Sequence, residues 1–143
     1  MNIELHKATN DDITFLLELR KQTMIEHLEK AGLFLSEEQH LARVRIHFDH
    51  AFIILQHKEK IGVLKYIETD SVIEILQLQI TPKFQGKGIG NYVLSDVIEQ
   101  AVATNKEIRL KVLKENPAKF LYERNGFSIY DEDLYEFYMK LVK

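Results

Sequence analysis

The residues whose types and spacing suit chemistry best are six in a row: Gln85, Gly86, Lys87, Gly88, Ile89 and Gly90. An apolar run, Val72–Ile80, precedes them and reads as a strand. After them Ile89, Val93, Leu94, Val97, Ile98, Ala101 and Val102 recur at helical spacing. The order is therefore strand, glycine-rich turn, helix. The first turn of a helix leaves its N–H groups without intrahelical partners, and the helix dipole adds partial positive charge there. Glycines allow positive φ and let a phosphate come close to the backbone. Gln85 adds a polar donor and Lys87 a positive charge, so the stretch reads as a pyrophosphate cradle; the alternative is a strand-to-helix turn with no ligand.

The spacing narrows the kind of cradle. A P-loop needs G-x-x-x-x-G-K-[ST], which is absent, and a dinucleotide fingerprint needs G-x-G-x-x-G, whereas Gly86, Gly88 and Gly90 are spaced G-x-G-x-G. Such a fingerprint also belongs after the first strand of a βαβ unit, and this turn comes late in the chain. What fits is Q-x-x-G-x-G through Gln85, Gly88 and Gly90, with Pro82 upstream. This resembles the coenzyme A-binding signature of the GNAT superfamily of N-acetyltransferases.

The elements that must position the cradle can be taken in order. A chain of 143 residues suits one domain, here 1–143. The first strand is expected over residues 3–8, with Ile3 and Leu5 alternating against Glu4 and His6. Thr9 or Asn10 can cap a helix that carries Ile13, Leu16, Leu17, Met24, Leu28 and Ala31 on one face and stops at Gly32. A second helix starts at Ser36, with Gln39 in capping-box position, and is expected to bury Leu41, Val44 and Phe48. Residues 51–55 and 61–67 read as a hairpin about the polar turn His57-Lys58-Glu59-Lys60. In Val72–Ile80 the apolar residues fall on both parities, Ile73 and Ile75 against Leu76, Leu78 and Ile80, which reads as a central strand buried on both faces. Residues 108–113 form the strand after the long helix, and residues 127–130 and 134–141 the last two.

Between them lies a second motif. Asn116 is a good helix cap, Pro117 a good first helical residue and Gly126 a good stop. Ala118, Tyr122, Gly126 and Phe127 keep the spacing A-x-x-x-Y-x-x-x-G-F that many GNAT enzymes carry at this place. Asn116 stands two residues before Ala118 where the pattern has three, so its role is left between a contact to the pantetheine arm and a cap. With both motifs in order, the resemblance covers nearly the whole chain; the N-terminal third matches in its strand and two helices. It implies an α/β fold with a single mixed sheet of about seven strands and about four helices, in which the central parallel strands four and five splay apart and acetyl-CoA fills the gap.

The resemblance also implies a reaction and a site. Acetyl-CoA would be the acyl-donor cosubstrate, and an amine acceptor would take the acetyl group directly. The pyrophosphate would rest on N–H groups of Gln85, Gly86, Lys87, Gly88, Ile89 and Gly90, with Asn91 at the edge. The pantetheine arm would add like a strand beside Leu78, Gln79 and Ile80. The N–H of Leu78 would polarise the thioester carbonyl, the sort of donor that stabilises developing oxyanion charge. Tyr122 would serve the departing thiolate as general acid; its bland alternative is a core tyrosine. Glu74, inside the central strand, is the candidate general base; its alternatives are a buried acid paired with Lys or Arg and a glutamate turned to the surface by a bulge. Tyr66, Glu68 and His27 stand in reserve, as does a water chain.

Other features bound the function. A net charge of −3 argues against a nucleic-acid surface. No cysteine means no disulfide framework, thiolate metal site or cysteine nucleophile, in keeping with a cytoplasmic location. Met1-Asn2-Ile3-Glu4 does not look like a signal peptide, and no apolar run approaches membrane-spanning length, so no membrane partner is expected. His47, Asp49 and His50 lie close in sequence without a metal-binding pattern, and no metal is expected. The Asp131-Glu132-Asp133 turn reads as a solvated loop. The alternative function is a GNAT-fold CoA-binding or sensor module without turnover. The acceptor's identity is open, as is a homodimer.

Overall fold

A computed structural model of the chain describes residues 1–142. Its centre is one mixed sheet of seven strands: β1 (Ile3–Lys7), β2 (Ala51–Gln56), β3 (Glu59–Glu68), β4 (Val72–Ile80), β5 (Glu107–Leu113), β6 (Ser128–Glu132) and β7 (Glu136–Leu141). Their spatial order is β1-β2-β3-β4-β5-β7-β6. All neighbours are antiparallel except β4 and β5, which run parallel. Four α-helices cover the faces: α1 (Ile13–Lys30), α2 (Glu37–Arg45), α3 (Ile89–Ala103) and α4 (Ala118–Arg124). This is the mixed α/β architecture expected.

Two apolar cores hold the layers. On one face Ile54, Leu64, Ile73, Ile75 and Ile80 pack with Val93, Leu94, Val97 and Ala101 of α3, and with Tyr122 of α4. On the other, Ala51, Ile53 and Val63 pack with Leu16 and Leu19 of α1 and Val44 of α2. The first helix therefore turns Leu19 and Arg20 inward alongside Leu16 and Leu28, two positions its apolar pattern did not mark. The capping box of α2 is present, with Gln39 N–H donating to Ser36 Oγ and Ser36 N–H to Gln39 Oε1. That helix stops at Arg45, and Phe48 falls in a separate 3-10 turn. Its inward side carries His40 with Val44, while Leu41 is only half-buried. The β1 strand is a sheet edge, and Leu5, expected inside, is exposed.

Two features of β4 create the cleft. Its ladder with β5 runs only from Val72–Glu107 to Ile75–Leu110, and beyond Ile75 the two strands part. Its ladder with β3 jumps between Lys65↔Gln77 and Tyr66↔Ile75, which leaves Leu76 as an extra residue in a β-bulge. The bulge also corrects the expected reading of parity. Ile73, Ile75, Leu78 and Ile80 all belong to the α3 side; the switch from odd to even marks one inserted residue, not two apolar faces. The strand is central nonetheless, fourth of seven. No helix among the described residues is long and apolar enough to cross a membrane.

Candidate active site

The parting of β4 and β5 opens two cavities that share a wall. The first, about 400 Å³, runs along the end of β4 to the start of α3 and is lined by Leu78, Gln79, Ile80, Gln85, Gly86, Gly88, Ile89, Gly90 and Asn91, with Asn116, Ala118 and Leu121 opposite. The second, about 490 Å³, lies on the other side of the splay, under α1 and α2, and contains Tyr122. Met24, Leu78, Gln79, Asn116 and Ala118 border both. Leu78 thus stands where a molecule in one cavity would meet a molecule in the other.

The turn at the far end of the first cavity has the geometry of an anion cradle. Gly86 and Gly88 adopt φ of 75° and 82°, a region that L side chains rarely enter. A Cβ on Gly86 would meet nothing within 4 Å, and one on Gly88 only the Met1 side chain at 3.4 Å. The glycines are thus required by the path of the backbone, and the space above them is open. Tyr92 N–H donates to the Gly88 carbonyl at 3.0 Å, so the N–H groups of Ile89, Gly90 and Asn91 precede the intrahelical ladder. Gln85 is used differently from expectation. Its N–H donates to the Pro82 carbonyl at 3.2 Å, and its side-chain Nε2 donates to the Ile80 carbonyl at 2.9 Å. The expected side-chain donor is therefore engaged within the protein, fastening the turn to the end of β4. Lys87 is exposed beside the cradle.

The opposite wall is built by α4. Asn116 Oδ1 accepts from Ala118 N–H at 2.9 Å, so Asn116 caps the helix while also bordering both cavities. Asn125 Nδ2 donates to Asn91 Oδ1 at 2.9 Å and to the Leu121 carbonyl at 2.8 Å, clasping the end of α4 to the start of α3. Tyr122 is 6% exposed, and its ring meets Phe127 edge-on at 5.7 Å. Burial pushes its phenol up to about 12. The hydroxyl therefore keeps its proton throughout the neutral range.

The residues considered as bases separate in space. Glu74 is half-buried on the zipped side of the splay, level with Ile67 of β3 and Arg109 of β5, and lines neither cavity. The physical reason is its place one residue before Ile75, where the parallel ladder still holds. Tyr66 stacks on Phe52 at 5.7 Å, and Glu68 pairs with Lys106 at 2.6 Å. His27 borders the first cavity, and its Nδ1 is buried without a partner. Among the described residues no group of three or more His, Asp or Glu side chains could hold a metal.

The second cavity holds side chains that the sequence pattern did not single out. Arg20 and Lys65 line it, although they are 9% and 5% exposed. Arg20 Nε donates to His40 Nδ1 at 3.1 Å, and Lys65 Nζ donates to the carbonyls of Val44 at 3.2 Å and Ile46 at 2.7 Å. Burial, reinforced by Arg43, lowers Arg20 to about 10; burial, reinforced by Arg20, lowers Lys65 to about 8. Glu136 lies in the same cavity with its carboxyl raised by burial and by neighbouring Asp133. A polar residue at a helical core position is invisible to an apolar-periodicity reading, which is why Arg20 escaped it.

The chain is similar to known proteins along most of its length. A family profile described as an acetyltransferase (GNAT) domain matches residues 47–129. The chain is 29% identical over 134 residues to acetyltransferase PseH of Campylobacter jejuni, an alignment covering 89% of this chain and 83% of that protein. A PseH from a second C. jejuni strain is 32% identical over 113 residues, covering 74% and 70%. Among solved structures, PaiA N-acetyltransferase from Thermoplasma acidophilum, crystallised with coenzyme A, superposes with a TM-score of 0.76 at 23% identity, both chains covered in full. Arabidopsis thaliana Naa50, bound to a bisubstrate analogue, gives 0.70 at 16% identity, again with full coverage of both chains.

Proposed function

The chain belongs to the GNAT family of acetyltransferases, and on that footing we propose that it transfers an acetyl group from acetyl-CoA to a primary amine of a small molecule or peptide. The observation that carries this reading is the shared wall: an anion cradle at the end of one cavity, a buried tyrosine in the other, and Leu78 between them. The residues present fit the cofactor. The open space above Gly86 and Gly88 and the free first-turn N–H groups of Ile89, Gly90 and Asn91 suit a pyrophosphate. Beyond Ile75, β4 has no β5 partner, so Leu78, Gln79 and Ile80 border a gap in which an amide-bearing arm can add like a strand.

Acetyl-CoA supplies an activated thioester. The acceptor amine forms the new N–C bond as the C–S bond breaks. The attacking neutral amine sheds one proton to solvent, and the sulfur leaves as the thiolate, which solvent can then protonate. In this reading the Leu78 N–H would face the developing oxygen charge. Asn116 and Ala118 hold the other side of the reacting groups, so positioning supplies a large part of the rate. Tyr122 keeps its proton at Oη. A thiol has an ordinary pKa of about 8.5, so full transfer from a phenol near 12 is strongly uphill. Tyr122 therefore acts chiefly by a hydrogen bond that strengthens as the thiolate forms.

The test is calorimetry with acetyl-CoA on the natural chain and Gly88→Asp, followed by CoA release on an amine panel with Tyr122→Phe. The expected result is binding lost in a folded Gly88→Asp protein, and turnover lowered but measurable in Tyr122→Phe at unchanged affinity. A folded natural chain that does not bind acetyl-CoA would overturn the reading. Binding without CoA release on any amine would leave a CoA-holding module.

A further inference from the structure

The second cavity carries charge that the transfer reaction itself does not require. Arg20, Lys65, Arg43 and Lys111 line it, against the single carboxylate of Glu136. Arg20 and Lys65 are among the few buried polar residues of the chain. Among the described residues neither forms an ion pair with a carboxylate. Removing cations from water is strongly unfavourable unless an opposite charge or hydrogen bonds compensate. Here the compensation is partial. Lys65 has two carbonyls, and Arg20 gives its Nε to His40, one of the five N–H donors of a guanidinium. Moreover, the cations lie close enough to disfavour one another, Arg43 acting on Arg20 and Arg20 on Lys65.

A fold has no reason to gather like charges under α1 and α2 for its own stability. Three further facts indicate that the cluster is built. His40 is 3% exposed and accepts from Arg20 at Nδ1, which fixes the orientation of the guanidinium. Burial, followed by Arg20, lowers His40, so the imidazole stays neutral and keeps that acceptor lone pair. The carbonyls that hold Lys65 belong to the end of α2 and the residue after it, so the helix that covers the cavity also places the ammonium.

We propose that the Arg20–Lys65–Arg43 cluster binds an oxyanion of the acceptor, so that the amine substrate carries a carboxylate or phosphoryl group. This rests on the acetyl-transfer reading for the identity of the ligand as acceptor. Arg20 offers a planar donor fork suited to two oxygens, Lys65 a point charge, and Arg43 an exposed cation at the edge. With the anion held there, the amine is directed to the Leu78 and Tyr122 wall shared with the cofactor groove. Glu136, on the β7 side, leaves the opposite part of the cavity suited to the cationic amine before it loses its proton.

The first test is binding of inorganic phosphate by calorimetry. Phosphate can also occupy the glycine cradle, so the measurement is made on Gly88→Asp, where that place is blocked. Phosphate should still bind, and the double variant Gly88→Asp/Arg43→Gln should bind it about tenfold more weakly, as expected for one charge-assisted contact. Arg43 is chosen because it is exposed, whereas truncating Arg20 or Lys65 endangers the fold. No phosphate binding by folded Gly88→Asp protein overturns the proposal, as does equal binding by the double variant.

The second test compares 2-aminoethyl phosphate, β-alanine and propylamine as acceptors. The anionic amines should exceed propylamine in kcat/KM by at least about tenfold, and Arg43→Gln should reduce that ratio through KM. Which of the two anionic amines leads identifies phosphoryl or carboxylate. Equal rates for all three overturn the proposal. If no amine is acetylated, the acetyl-transfer reading fails, and the phosphate titration still decides the cluster.

Discussion

Gln85 donates its side-chain Nε2–H to the carbonyl of Ile80 at 2.9 Å, and so ties the glycine turn to the last residue of β4. The two walls that would hold the two ends of the cofactor are thereby one mechanical unit. A neutral hydrogen bond contributes about 0.5–1.5 kcal/mol net. Gln85→Ala should therefore weaken acetyl-CoA binding by roughly three- to tenfold and lower the melting temperature by about a few degrees. Calorimetry on the folded variant checks this; an unchanged Kd would mean the tie is ornamental.

Gly62 of β3 lies against the same part of β4. A Cβ there would stand 2.3 Å from the Gln79 carbonyl oxygen and 3.0 Å from Ile80 Cδ1. Backbone is the obstacle, so a rotamer change cannot relieve it. Gly62→Ala should push β4 away and cost about 1–3 kcal/mol, the range of overpacked cores. Denaturant unfolding gives the stability. Acetyl-CoA affinity should fall with it, because Gln79 and Ile80 form the groove wall.

Burial holds the Tyr122 phenol near 12. No loss of rate from its ionisation is then expected between pH 7 and about 10, where a free tyrosine would titrate. The measurement is kcat against pH with acetyl-CoA saturating, for the natural chain and Tyr122→Phe. A falling limb near pH 10 that disappears in the variant would contradict the buried, protonated role.

Lys65 is lowered to about 8 from an ordinary value of 10.5. Between these values the unfolded chain binds a proton that the folded chain lacks. Its contribution to stability therefore rises with pH across that window and is flat below about 8. Lys65→Met should remove this rise, seen as the difference between the two proteins' unfolding free energies from pH 7 to 10. A constant difference would show that the ammonium is not desolvated in the folded chain.

Much of this was legible in the sequence, and the exceptions have a common cause. The cradle could be read because its chemistry is local: Gly86 and Gly88 require a backbone conformation that the residue types announce. The A-x-x-x-Y-x-x-x-G-F segment could be read for the same reason, since it is one helix with its stop. Glu74 could not be placed, because whether it borders the cleft depends on where the β4–β5 ladder ends, a property of two strands far apart in sequence. The bulge at Leu76 was visible as a parity change but admits two explanations until the β3 register is known. Arg20 and Lys65 were invisible because charged residues are assigned outward by default, and only the packing of α1 and α2 turns them in.

The parting of β4 and β5 has one more consequence. Sheets usually keep their unpaired backbone at the rim, where charge, proline or a covering loop guards it. Here a stretch of rim lies in the middle of the sheet, over residues 76–80, flanked by strands on both sides yet zipped on one only. That stretch is an internal adhesive seam, and an arm that filled it would act also as a missing strand. Occupancy of the groove and completion of the sheet would then be one event, so a cofactor bound there would firm the scaffold as well as supply the acetyl group.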